Sequence, residues 1–159
     1  MKALVVYDSV FGNTEKVAQA IGAALGSPEE VEVIRIADVR PEQLAGLDVL
    51  VVGSPTRAFR PMPSVSAFIK GLGPDALQGV RTAAFDTRIS LEDAKPAFLR
   101  TMMRLFGWAA DPIARGLARK GGGQAVAPEG FCVVGSEGPL REGELERASE
   151  WARRIAAAG

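Results

Sequence analysis

The chain has 159 residues, of which 47% are hydrophobic and 24% charged, and its 19 basic and 19 acidic side chains give no net charge. This length predicts a single domain over residues 1–159, and the zero net charge provides no general attraction to nucleic acid or to an anionic membrane. The absence of histidine excludes Ser–His–Asp and Cys–His catalysis, and the single cysteine excludes an internal disulfide and a Cys-only zinc site.

The apolar runs are short throughout the sequence. None reaches the roughly 20 residues that cross a membrane, and the apolar part of the N-terminus is too short for a signal peptide. We therefore expect a cytoplasmic protein without a membrane or nucleic-acid partner, and the sequence leaves its oligomeric state open.

The first half of the chain alternates strand and helix patterns. A buried strand at residues 4–7 precedes a helix at 13–25, whose apolar residues recur at helical spacing. Alternation over residues 31–36 predicts an edge strand, and the run Val49–Val52 predicts a third, fully buried strand. A proline-rich loop then leads to a short helix at residues 64–70.

The second half continues the same alternation. Residues 80–85 predict a fourth strand, and a helix is expected from a capping box at 90–93 to about Phe106, with Pro96 in its first turn. Asp111 and Pro112 predict the N-cap and first residue of the next helix. A fifth strand, broken around residues 128–130, covers 125–127 and 131–134, and a last helix from Gly143 places Leu145 and Trp151 on its inward face.

Continuous apolar strands joined by helices predict an α/β fold with three α-β-α layers around a five-stranded parallel sheet. Ligands of such sheets bind at the carboxyl ends of the strands. The sequence lacks a P-loop, and it has only Gly12 where a dinucleotide-binding fold needs GxGxxG. It also lacks the acidic pattern of a receiver domain and the Cys–Arg loop of a small phosphatase.

The loop after the first strand has the composition of a phosphate-binding site. Its hydroxyl groups, its glycine and the free N–H groups at the start of the next helix can all donate toward one anion. The loop contains no Lys or Arg, so its donors are neutral and suit a phosphate monoester. Its residues are Ser9, Val10, Phe11, Gly12, Asn13 and Thr14. The alternative is that Ser9 and Asn13 only cap the helix.

These residues resemble a known family. The pattern Val5-Val6-Tyr7-x-Ser9-x-x-Gly12-x-Thr14-x-x-x-Ala18-x-x-Ile21 is similar to the motif with which flavodoxins bind the phosphate of flavin mononucleotide (FMN). The resemblance extends over nearly the whole chain in element order, and it implies the strand order 2-1-3-4-5 and FMN as cofactor.

The resemblance implies two further loops, one on each side of the flavin ring. The loop after strand three contributes Pro55, Thr56, Arg57, Ala58 and Phe59, and the loop after strand four contributes Asp86, Thr87, Arg88 and Ile89. Flavodoxins usually place the ring between Trp and Tyr in acidic surroundings. Here Phe59 is the only aromatic residue of either loop, and Arg57, Arg60 and Arg88 are expected at the rim, where positive charge would raise the potential of the last electron step.

The resemblance therefore implies an FMN-binding electron carrier without a catalytic side chain. The basic rim suggests an acidic redox protein or a nicotinamide nucleotide as partner. Two alternatives remain open: an FMN-dependent NAD(P)H:quinone-type reductase, and a flavodoxin-like binding or regulatory module that has lost the flavin. An Arg-rich face at residues 100–119 could dock an acidic partner or a second copy, or could simply be solvated.

Overall fold

Six strands form one parallel sheet in the computed structural model, which describes residues 1–90 and 97–159. The sheet has the order β2-β1-β3-β4-β5, with β6 also paired to β4. The predicted order 2-1-3-4-5 is therefore confirmed, with two short strands sharing the fifth position. The strands are β1 (Ala3–Tyr7), β2 (Val31–Arg35), β3 (Val49–Pro55), β4 (Arg81–Ile89), β5 (Gly123–Gln124) and β6 (Glu129–Val133).

Helices cover both faces of this sheet and create two apolar cores. On one face, α1 and α5 pack Ile21, Trp151 and Ile155 against alternate residues of the strands. On the other, α2 and α4 pack Ile69 and Leu117 against the remaining ones. This is the predicted three-layer α/β arrangement. The helices are α1 (Asn13–Leu25), α2 (Pro63–Gly71), α3 (Ala97–Phe106), α4 (Ala110–Arg119) and α5 (Glu144–Ala157).

Several predicted boundaries differ from the observed ones. The fourth strand continues to Ile89 instead of ending at Phe85, because β6 pairs with residues 85–89 and extends the ladder. The broken fifth strand occupies 123–124 and 129–133, slightly before the predicted segments. Leu145 is exposed rather than inward-facing, whereas Trp151 is buried as predicted.

The two helices after β4 also differ from the prediction. The expected capping box and Pro96 fall largely on residues 91–96, which lie outside the described residues, and α3 is described from Ala97. Helix α4 begins at Ala110, so Asp111 lies in its first turn and is not its N-cap. Among the described residues, no helix is both long and apolar enough to cross a membrane.

Candidate functional site

Three of the loops singled out in the sequence meet at the carboxyl edge of the sheet, around a cavity of about 300 Å³. The cavity lies where β1, β3 and β4 end, as expected for a doubly wound parallel sheet. Twelve of its lining residues were predicted as site residues: Ser9, Val10, Phe11, Asn13, Thr14, Pro55, Thr56, Arg57, Ala58, Thr87, Arg88 and Ile89.

A fourth loop completes the cavity and was missed by the sequence reasoning. Val133, Ser136 and Glu137, at the end of β6 and just after it, line the same cavity. The sequence could have indicated this loop by its position after a predicted strand, because the carboxyl ends of all parallel strands lie at the same edge of the sheet.

The loop between β1 and α1 turns sharply at Gly12, which serves as the N-cap of α1 with a φ of 90°. Such a φ favours glycine because a Cβ would be strained there. Ser9 Oγ accepts the Gly12 N–H at 3.0 Å, and the helix has no side-chain cap. Ser9 therefore shapes the loop before the helix, and the N–H groups of the first turn of α1 remain without intrahelical partners.

The Asp8 carboxylate anchors this loop through hydrogen bonds. Its carboxylate accepts the Ser9 N–H at 2.8 Å and an Arg35 Nη1 hydrogen at 3.1 Å, and it also accepts the hydroxyl hydrogen of Ser64 at the start of α2. Arg35 donates further to the Ser9 carbonyl at 3.0 Å. The Arg35 guanidinium is therefore already engaged with Asp8, and the donors that this loop itself presents to the cavity are neutral.

Two side-chain hydrogen bonds join the separate loops. The hydroxyls of Thr14 and Thr87 are 2.8 Å apart and buried, linking α1 to the end of β4. Asn13 donates from Nδ2 to the Glu137 carbonyl at 2.9 Å, linking α1 to the loop after β6. Thus Asn13 does not cap the helix, and the cavity walls are held at fixed spacing.

The loop after β3 contains a tight hairpin. The N–H and C=O groups of Arg57 and Arg60 bond reciprocally, at 2.8 and 3.0 Å. The two central residues, Ala58 and Phe59, have φ angles of 48° and 68°. Because left-handed backbone costs about 1–2 kcal/mol for a non-glycine residue, this hairpin is under conformational strain.

At the end of β4, Asp86 is completely buried and forms two hydrogen bonds with Arg88, at 2.6 and 2.7 Å. Burial raises the pKa of the Asp86 carboxyl, while Arg88 and the Ala110 N–H act in the opposite direction. The guanidinium of Arg88 also lies 4.3 Å from the centre of the Trp108 ring. A Cβ at Gly130 would lie 2.1 Å from this guanidinium. The absence of a side chain at Gly130 on β6 therefore leaves room for the Arg88 guanidinium.

Three of the predicted site residues do not line the cavity. Gly12 shapes the loop from its turn, and Asp86 points into the interior toward Arg88. Phe59 turns away to contact Phe106 of α3, with ring centres 5.6 Å apart. The expected rim of three arginines is present only in part: Arg57 and Arg88 line the cavity, whereas Arg60 lines a neighbouring groove. Asp86 compensates the charge of Arg88.

A second and larger groove, of about 1070 Å³, lies beside this cavity. It runs between α2, α3, α4 and the hairpin of residues 57–60. Ala58 lines both the cavity and the groove, and Phe59 and Trp108 line the groove.

A comparison with protein families identifies the chain. Residues 4–115 match the family model described as a flavodoxin domain. The chain therefore belongs to the flavodoxin family, as the resemblance implied. A flavodoxin from Picosynechococcus sp. is 49% identical over 45 residues, a segment that spans 28% of this chain and 26% of that relative.

Solved structures of low sequence identity share the fold. Flavodoxin 2 from Bacillus cereus superposes with a TM-score of 0.76 at 21% identity, over 100% of both chains. Rubredoxin oxygen:oxidoreductase from Desulfovibrio gigas superposes with a TM-score of 0.71 at 19% identity, over 99% of this chain but 35% of that one. The same fold therefore occurs both as a whole chain and as part of a larger one.

Proposed function

We propose that this member of the flavodoxin family binds FMN noncovalently in the cavity of about 300 Å³ and transfers electrons through it. The observation that carries the proposal is the convergence of the loops after β1, β3 and β4 on one cavity, with neutral donors at its α1 end. A bound flavin would supply the redox chemistry, and the chain would bind it, orient it and set its surroundings.

The loop of residues 9–14 fits the phosphate group. The N–H groups of the first turn of α1 and the helix dipole favour an anion there. The Ser9 hydroxyl still has its hydrogen to donate, because its bond to Gly12 uses only the oxygen. The loop holds no Lys or Arg, so a phosphate monoester would be held by neutral donors.

The cavity walls fit a planar ring without aromatic stacking. One wall is formed by residues 55–58 and the other by residues 87–89. Neither wall contains an aromatic side chain, and Phe59 is directed to α3. We propose that peptide groups and aliphatic surfaces flank the ring, with Arg57 as the cationic side chain of these two walls whose charge no carboxylate compensates in the described residues.

The absorption spectrum of the purified protein, taken before and after incubation with FMN and gel filtration, tests this function. We expect a retained flavin band. Replacing Ser9 with Ala removes a donor to the phosphate and the anchor of Gly12, so FMN should bind about tenfold more weakly, since one bond to a charged group contributes about 1.5–3 kcal/mol. Ser149→Ala, on α5, is the matched control and should leave the affinity unchanged.

The same preparation separates the remaining alternatives. Sustained oxidation of NAD(P)H by the flavin-loaded protein would favour a reductase over a carrier. A protein that stays colourless after reconstitution would contradict the proposal and favour a flavin-free binding module. We also propose that residues 1–159 work as one domain, because a single sheet connects both cores.

A further inference from the structure

The large groove beside the candidate flavin cavity has a strongly uneven charge. Five basic side chains line it, with Asp111 as the acidic lining residue. All five are exposed, and within residues 1–90 and 97–159 none of them forms an ion pair. They come from the hairpin and from three helices: Arg60, Lys70, Arg104, Arg115 and Arg119.

The same groove carries an apolar surface that residues 1–90 and 97–159 leave exposed. Leu105 is 72% exposed and Phe106 is 61% exposed, both at the end of α3. Met102, one turn earlier, also lines the groove. Large apolar side chains this exposed, grouped together and rimmed by charge, are typical of a surface that binds another protein.

The groove also adjoins the candidate redox site. Ala58 lines the cavity and the groove, and Phe59 joins the hairpin to Phe106. A protein seated in the groove would therefore lie against the hairpin that forms one wall of the flavin cavity. Electron transfer requires this closeness to the cavity.

We propose that this groove docks an acidic redox protein, whose carboxylates meet the five basic side chains and whose apolar contact residues cover Leu105 and Phe106. This inference rests on the proposed electron-transfer function and specifies its partner. Charge complementarity selects the partner: opposite charge speeds encounter and fixes orientation, and a basic partner would be repelled. A flavin held in the adjoining cavity would supply the electron, so that the flavin is oxidised by one electron and the partner's redox centre is reduced by one.

Two forms of cytochrome c provide the test, because they share one haem and differ in charge. The native protein is basic, and succinylation of its lysines makes it acidic. Calorimetric titration of the chain with each form, in the presence and absence of FMN, measures docking without depending on electron transfer. We expect the acidic form to bind and the basic form not to bind. The Debye length falls from about 30 Å at 0.01 M to about 10 Å at 0.1 M salt, so the affinity should fall steeply over this range.

Charge-reversal variants locate the binding face. Arg119→Glu should weaken binding about threefold to tenfold, and the double change Arg115→Glu with Arg119→Glu by more than tenfold, since each factor of ten corresponds to about 1.4 kcal/mol. Arg153→Glu, an exposed arginine on α5 at the opposite face, makes the same change in net charge and should have less than a twofold effect. Leu105→Ser should weaken binding equally at low and high salt.

The outcomes distinguish the inference from the function on which it rests. Binding of the acidic form without a retained flavin would leave the groove as a docking site and overturn the electron-transfer function. A retained flavin with no preference for the acidic form, or equal effects of Arg119→Glu and Arg153→Glu, would overturn the docking proposal. A stable dimer that dissociates on Leu105→Ser would also overturn it, because a second copy would occupy the groove.

Discussion

Asp86 shows how a single buried charge organises one wall of the cavity. Its carboxylate is completely buried and accepts three hydrogen bonds from the described residues, two from Arg88 and one from the Ala110 N–H at 2.9 Å. Arg88 can reach it because Gly130 presents no side chain in its path. A sequence pattern treats Asp86 and Arg88 as loop residues, because their pairing depends on Gly130 of the neighbouring strand β6, which is distant in sequence.

The hairpin residue Ala58 gives a prediction at the same scale. Ala58→Gly should raise the free energy of unfolding by about 0.5–1 kcal/mol, because glycine adopts the observed φ of 48° without a Cβ penalty. Urea denaturation of the two proteins checks this.

Ala67→Gly is the matched control for this change. Ala67 is an exposed residue within α2, where glycine should lower the stability by about 1 kcal/mol. Equal destabilisation by both glycines would contradict the strained conformation assigned to the hairpin.

At the scale of elements, the start of α4 is determined by other parts of the chain. The Ala109 N–H donates to Thr56 Oγ1 at 3.1 Å, and the Ala110 N–H donates to Asp86. These two remote groups satisfy the first N–H groups of the helix, which therefore begins before the Asp-Pro pair that the sequence favours as its start. A carboxylate at this end also interacts favourably with the helix dipole.

Asp86→Asn tests the ion pair between this carboxylate and Arg88. The change removes the charge that pairs with the largely buried Arg88, so the free energy of unfolding should fall by about 3 kcal/mol. Urea denaturation in the absence of flavin measures it. Asp111→Asn, at an exposed position in the first turn of α4, should cost well under 1 kcal/mol. Similar losses for the two variants would refute the role given to Asp86.

Helix α5 is attached to β6 through a cluster of charges. Glu144, at the start of α5, accepts the Cys132 N–H at 2.6 Å and two hydrogens of Arg147, at 3.0 and 2.8 Å. Arg147 also pairs with Glu129 at 3.1 Å and lies 4.7 Å from the centre of the Phe131 ring. Burial raises the pKa of Glu144, but the bonds from Arg147 and Cys132 outweigh it and leave the pKa below its ordinary value.

The lowered pKa predicts a pH-dependent contribution to stability. The stabilisation by Glu144 is complete above its ordinary pKa of about 4.3 and is lost as the pH falls through the lower pKa of the folded state. Glu144→Gln should therefore cost about 1–3 kcal/mol at neutral pH, and much less at a pH below both pKa values.

Chemical denaturation of wild type and variant at neutral and acidic pH measures this difference. Glu150→Gln, at an exposed position on the same helix, is the control and should show almost no cost at either pH. A cost of Glu144→Gln that does not decrease on acidification would contradict the charged pairing.

For the whole molecule, the periodic patterns were sufficient to predict the layers and α1 from Asn13 to Leu25, whereas the strand order was implied by the resemblance to flavodoxins. The layers and α1 depend on local spacing of apolar residues, which a sequence displays directly. The direction of Phe59 toward α3, the extension of β4 beside β6 and the loop after β6 all depend on contacts between distant segments. Local pattern carries little information on such contacts, so the sequence located three loops of the site but not their side-chain directions.

The central claim is that the cavity recognises a flavin through its phosphate. Titration of the purified chain with FMN and with riboflavin, which has the same ring but no phosphate, followed by flavin fluorescence, tests it most directly. The loop of residues 9–14 predicts that FMN binds at least about 100-fold more tightly, corresponding to roughly 2.7 kcal/mol. Equal affinities for the two flavins, or binding of neither, would contradict the account.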